Sequence, residues 1–216
     1  CISKAFETAD IDAIMDAGLA QIPRESVYAA VVEAVRAFHR ANPHDWRACR
    51  AMLEAEWGYD RYGGVCHIIP NAGVCALALC YGAGDFARTV EIATMCSWDT
   101  DCNAGNVGTI LGVACGLEGL PAHYGDPIND EVVLSGISGY LNVLDIPSYA
   151  WELARWGYRL RGEPVPEQVS GRVREGEVYF DFSLPGSTHG LCFACDVPTC
   201  ARLRDGSVLL DRMVRG

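Results

Sequence analysis

Apolar residues recur at three- and four-residue steps in a series of separate stretches, and that spacing predicts helices packed by one face. The first holds Ile11, Ile14, Met15, Leu19 and Ile22, opens after Asp10 as a cap and stops at Pro23. The second sets Val27, Ala30, Val31, Ala34, Val35 and Phe38 on one stripe, with Ser26 as its cap and Asn42-Pro43 at its end. In the third, Asp45 precedes Trp46, Cys49, Leu53 and Trp57, and Gly58 breaks the pattern. Three amphipathic helices joined by short loops predict a helical bundle. Beyond Gly63-Gly64 the pattern alters. Ala72 to Tyr81 is apolar on every side, which predicts a helix buried all round, with Pro70 in its first turn and Gly82 and Gly84 at its end. Asp85 caps a further helix through Phe86, Val90 and Ala93. Another is expected from about Cys102 to Leu117, where Ala104, Gly108, Gly112 and Gly116 lie four apart and leave one face nearly bare for a close neighbour.

A last helical pattern occupies Tyr149, Leu153, Trp156 and Leu160, and Gly162-Glu163-Pro164-Val165-Pro166 reads as a linker. The period then falls to two. Val178, Phe180, Phe182 and Leu184 alternate with Tyr179, Asp181 and Ser183, which predicts a strand, and Asp205-Gly206 marks a further hairpin. The expected organisation is mainly α, a helical domain over residues 1–162 with a small β-rich appendage over 163–216, and no internal repeat.

Charge narrows the partners. The 216 residues carry 17 Lys+Arg against 28 Asp+Glu, a formal net charge of −11, and such a field repels nucleic acid and anionic membrane. The apolar run to Tyr81 is about half the roughly 20 residues a membrane crossing requires. Eleven cysteines, an odd number, cannot all pair, and Cys75, Cys80 and Cys115 sit inside apolar helical segments where a thiol acts as a small hydrophobe. A reducing compartment, the cytoplasm, is the expectation.

The densest polar cluster is Trp98-Asp99-Thr100-Asp101-Cys102-Asn103, between two helices. Carboxylates two residues apart in a non-helical turn can converge on one hard cation. The alternative is that Asp101 is an N-cap and Asp99 its solvated neighbour. His67 either faces a ligand or is a hydrogen-bonded loop histidine, Trp98 either stacks on a ligand base or caps the core, and Asn103 binds either ligand or a neighbouring carbonyl. In the tail, His189, Cys192, Cys195 and Cys200 have intervals that can hold zinc if a turn separates Cys192 from Cys195.

The stretch Trp98 to Gly105, on through Gly112 and Gly116-Leu117-Glu118-Gly119-Leu120-Pro121, resembles the C-terminal signature of the ADP-ribosylglycohydrolase family. Cys66-His67-Ile68-Ile69-Pro70-Asn71-Ala72 and Tyr81-Gly82-Ala83-Gly84-Asp85-Phe86 resemble segments that precede it in bacterial members, and the likeness is collinear from about Asp10 to Pro121. The resemblance implies an orthogonal all-α fold and a pair of divalent metals, Mg²⁺ or Mn²⁺, over which ADP-ribose lies. It implies hydrolysis of the glycosidic bond between ADP-ribose and a modified protein side chain, or of related ADP-ribose compounds. By the same likeness Asp99 and Asp101 are metal ligands, with His67, Trp98, Cys102 and Asn103 near the substrate.

Two departures qualify what the resemblance implies. The family usually places Thr or Ser where this chain has Cys102, a poor ligand for Mg²⁺, so either a water replaces the hydroxyl or the site prefers a softer ion. The family's N-terminal Thr-Asp-Asp-Thr type motif, source of the other metal ligands and the acid/base carboxylate, has no counterpart, since Asp10-Ile11-Asp12 reads as a helix cap. The chain is therefore expected to be the C-terminal part of a longer protein, binding metal weakly and turning over little on its own. Two rival expectations are an inactive binding or structural relative, as jellyfish crystallins are in this family, and a zinc-stabilised interaction domain built on the tail. The run Phe182 to Gly190 resembles a β appendage of some longer bacterial relatives.

Overall fold

The computed structural model describes residues 1–64, 66–128, 130–134, 136, 143–170, 186–187, 201–204 and 207–210. The contacts group the chain into two compact units, Cys1–Pro121 and Ala122–Gly216. The alternating segment 178–184 and the tail cluster His189, Cys192, Cys195 and Cys200 lie outside the described residues.

The first unit consists of α1 (Ile2–Ala5), α2 (Ile11–Leu19), α3 (Val27–Ala41), α4 (Trp46–Trp57), α5 (Ile68–Gly82), α6 (Phe86–Met95) and α7 (Thr100–Cys115), then a 3₁₀ turn at Leu117–Gly119. Most starts are fixed by a side chain that satisfies an orphan backbone N–H. Asp10 accepts from the N–H groups of Asp12 and Ala13, Ser26 from Ala29, Asp45 from Ala48, and Asp85 from Arg88. These are the caps expected from the sequence.

Helix α5 lies at the centre. Every residue from Ile69 to Gly82 except Cys75 is buried, as a segment apolar on all sides requires, and α2, α3, α4, α6 and α7 all touch it. α2, α3 and α4 contribute the faces their periodicity marks, Ile14 and Met15, Val31 and Val35, Cys49 and Leu53; α6 and α7 contribute Ala93, as marked, and Ile92, Val107 and Leu111, which the pattern did not single out. At the surface Arg36 holds α3 to α2 through Asp12 at 2.9 Å and Asp16 at 2.6 Å.

The glycines that permit close approach are not the expected ones. A Cβ at Gly108 or Gly112 would sit 3.6 Å or more from Val90 and Phe86 of α6, which is ordinary contact. A Cβ at Gly82 would meet Thr89 Cβ at 2.8 Å, and one at Gly73 would meet Leu53 at 2.7 Å. The tightest approach is thus made by α5 at Gly82, whose small residue is masked in the sequence by the apolar run.

In the second unit α8 (Ala122–Gly125) precedes an antiparallel pair, β1 (Glu131–Val133) and β2 (Val143–Asp145), with Glu131 opposite Asp145. These three-residue strands are too short to show a period. Asp145 then caps α9 (Ile146–Arg161), its carboxylate accepting from the Ser148 N–H at 2.8 Å and from the Ser148 hydroxyl at 2.7 Å. The apolar spacing of α9 locates the helix but not its inner face. Leu153, Trp156 and Leu160 are exposed, whereas Glu152 and Arg155 are buried. Arg155 Nε donates to Glu152 at 2.9 Å, and a second bond joins the same side chains; two charges that satisfy each other can be buried where either alone cannot. After α9 come α10 (Glu167–Ser170), β3 (Ala201–Arg204) and β4 (Ser207–Leu210). β3 and β4 pair antiparallel with Arg204 opposite Ser207; Asp205-Gly206, where the sequence marks a hairpin, lies outside the described residues.

Candidate functional site at the start of α7

Between α6 and α7 the chain turns through Ser97 (φ 52°) and Trp98 (φ 55°), two successive left-handed residues, before Asp99. Arg50 of α4 braces this turn. Its Nε donates to the Cys96 carbonyl at 2.8 Å, and its guanidinium lies 3.7 Å over the Trp98 ring. Tyr59 leans on the same indole with ring centroids 4.9 Å apart. Trp98 is therefore half-buried against the core with a cation already over its ring.

The helix begins two residues earlier than expected, at Thr100, so the N-cap position belongs to Asp99 and Asp101 falls in the first turn. That corrects the reading of Asp101 as the cap. Asp99 nevertheless makes no side-chain capping bond, and its backbone (φ −29°, ψ 64°) is not that of an ordinary cap. Its carboxylate turns instead to α5, where Asn71 Nδ2 donates to Oδ2 at 3.0 Å. The other end of the Asn71 amide accepts from the Tyr59 hydroxyl at 2.5 Å. Neither Asp99 nor Asp101 has an ion pair among the described residues.

Ligand atoms of Asp99, Asp101 and Cys102 all lie within 4.8 Å of one another, with Asp99 half-buried and the other two exposed. Interaction with the Asp99 carboxylate, then the negative charges of Asp101 and Asp99, hold the Cys102 thiol above the usual thiol range. Cys66, a left-handed residue (φ 60°), lies on the loop before α5. Desolvation, then the Asp99 charge, push its thiol up as well.

The remaining expected site residues are set back from this cluster or spent on structure. His67 occupies the N-cap of α5, its Nδ1 accepting from the Ile69 N–H at 3.2 Å and its ring stacked on Tyr62 at 5.1 Å. Asn103 is buried on the inner side of α7, where Cys75 donates to its Oδ1 at 3.6 Å and its Nδ2 has no partner among the described atoms. Cys75 itself is pushed up to about 12 by burial and, less, by the Asp99 charge. Sequence reasoning did not single out Asn71 or Cys66. A polar side chain inside an otherwise apolar helix was the available signal for Asn71, because a buried amide requires partners.

Two carboxylates free of cationic partners are suited to a divalent ion. The Cys102 thiol beside them is not suited to Mg²⁺, which takes oxygen donors. The donor set fits the hard-metal expectation in its carboxylates and departs from it in its sulfur.

A mainly α fold with this aspartate pair opening a glycine-rich helix defines a class that a family comparison makes explicit. The ADP-ribosylglycohydrolase family model matches residues 1–160, and the chain belongs to that family. No curated protein and no solved structure matches it.

Proposed function

We propose that this chain provides the Asp99-Asp101 edge of a metal-dependent centre that hydrolyses a glycosidic bond of ADP-ribose. The observation that carries the proposal is the Asp99 carboxylate. It occupies a helix N-cap, declines the capping bond, and is held by buried Asn71 beside a second carboxylate with no cation on either. Family membership supplies the substrate class, ADP-ribose on a protein side chain or a related compound. A bound divalent ion would orient the ribose hydroxyls and acidify a water. The protein's own part is to fix Asp99 through Asn71, to present Asp101 at the helix opening, and to aim the free N–H groups of the first α7 turn at ligand oxygen. Two carboxylates cannot fill roughly six-coordinate shells around two ions, so the proposal assigns the remaining ligands and the acid/base carboxylate to chain outside these 216 residues. In this reading the polypeptide is the C-terminal half-site of a bacterial-type member with a β-rich tail.

The test is to join this chain to its upstream reading frame and assay release of ADP-ribose from modified arginine and serine. Release that disappears in Asp101→Asn supports the proposal. Binding of ADP-ribose without release, indifferent to that substitution, would identify a binding module instead.

A further inference from the structure

Helix α9 turns charge inward and apolar residues outward. Glu152 and Arg155 are buried, while Ile146 is 46% exposed, Leu153 49%, Trp156 38% and Leu160 89%. At about 100° per residue these four fall with Tyr149 on one stripe, and Ala150, Ala154 and Gly157, all exposed, form a second stripe beside it. A Cβ at Gly157 would meet nothing within 4 Å. Between Ile146 and Leu160 this outward face carries no charged residue. A bulky ridge therefore runs along an open groove of small residues.

We infer that this face of α9 is the contact of a homodimer, in which two copies of the helix pack antiparallel about a two-fold axis at Leu153. With Leu153 opposite itself, Trp156 of one copy falls over Ala150 of the other, Tyr149 falls over Gly157, and Leu160 meets Ile146. Each of these unlike pairings occurs twice, as a two-fold requires. Both kinds of ring then sit on a small residue, and the register covers the whole stripe from Ile146 to Leu160. A helix of 16 residues is about 24 Å long and, with side chains, about 10–12 Å across, so the face withdraws roughly 500 Å² of each copy from water. The pair buries about 1,000 Å², the lower bound of a specific interface, which fits a dimer of micromolar strength. Antiparallel packing also sets the N-terminal end of each helix dipole beside the C-terminal end of the other. Two chains of net charge −11 repel at long range, and α9 offers them a patch free of carboxylates. The same net charge disfavours an anionic membrane as the cover.

The test is sedimentation velocity of the 216-residue chain from about 1 to 100 µM, under reductant so that no exposed thiol cross-links two copies. The expected result is a monomer at the low end and a dimer at the high end. Leu153→Glu and Leu153→Lys each place like charges face to face on the axis, so each weakens dimerisation by roughly tenfold or more, with helical circular dichroism unchanged. An equimolar mixture of the two variants restores the dimer, because Glu then opposes Lys. A chain still monomeric at about 100 µM, a dimer indifferent to Leu153→Glu, or a mixture no more dimeric than either variant alone overturns the inference. Loss of the helical signal in Leu153→Glu overturns it as well, because the face is then covered within the chain.

Discussion

Helices α6 and α7 begin alike in sequence and differently in structure. Asp85 and Asp99 both occupy N-cap positions. Asp85 adopts extended backbone (φ −81°, ψ 121°) and accepts from the Arg88 N–H at 2.7 Å, so its carboxylate is consumed by the helix it starts. Asp99 leaves its helix start uncapped and accepts instead from Asn71, with Asp101 and Cys102 beside it. The difference is that the carboxylate at the start of α7 is left to partners outside its own helix. The free energy that capping would contribute, about 1 kcal/mol, is forgone at α7 for a carboxylate held in place.

The largest effect that separates the two ends is expected from Asp99→Asn. Divalent-ion affinity should fall roughly 100-fold or more by calorimetric titration, while the thermal midpoint hardly moves. A comparable loss from Asp85→Asn would break the contrast. Next comes Gly82→Ala, which drives a Cβ into Thr89 on the inner side of α6 and should destabilise the chain by about 1–3 kcal/mol in urea unfolding, with ion binding by the remaining folded protein unaltered. Asp85→Ala should cost about 1 kcal/mol in the same measurement and nothing in ion affinity.

The smallest effect at neutral pH sharpens the contrast between core and site thiols. Burial pushes Cys49 up to about 12 and Cys80 and Cys96 to about 11, from an ordinary 9.0. These thiols are protonated in both folded and unfolded chains below pH 9, so their contribution is intact there. As pH rises from about 9 toward 11–12 the unfolded chain ionises first, and stability should fall across that window in denaturant titrations. Replacing Cys49 with Ala should flatten the alkaline slope; replacing exposed Cys102 with Ser should flatten it less.

The helices were legible wherever a capping side chain preceded a regular apolar stripe, as at Ser26, Asp45 and Asp85. α5 was legible because no polar face interrupts it, apart from Asn71. The start of α7 was displaced by two residues because Asp101 looked like the better cap, and no local rule tells that Asp99 caps nothing. The face of α9 was illegible for another reason: a buried Glu152–Arg155 pair inverts the usual partition, and pairing of the two charges helps permit that. At the site, Asp99, Asp101 and Cys102 are sequence neighbours and their cluster could be read directly. Asn71 joins them only through the packing of α5 on α7, which spacing along the chain does not encode.

Asn71 spends both ends of one amide, receiving from Tyr59 and giving to Asp99, from within the helix that the whole first unit surrounds. A leucine of similar size there would leave the interior filled and the fold intact, yet release the carboxylate from its tether. Under the proposed function, the site would thus respond to a change made inside the central helix and shielded from solvent.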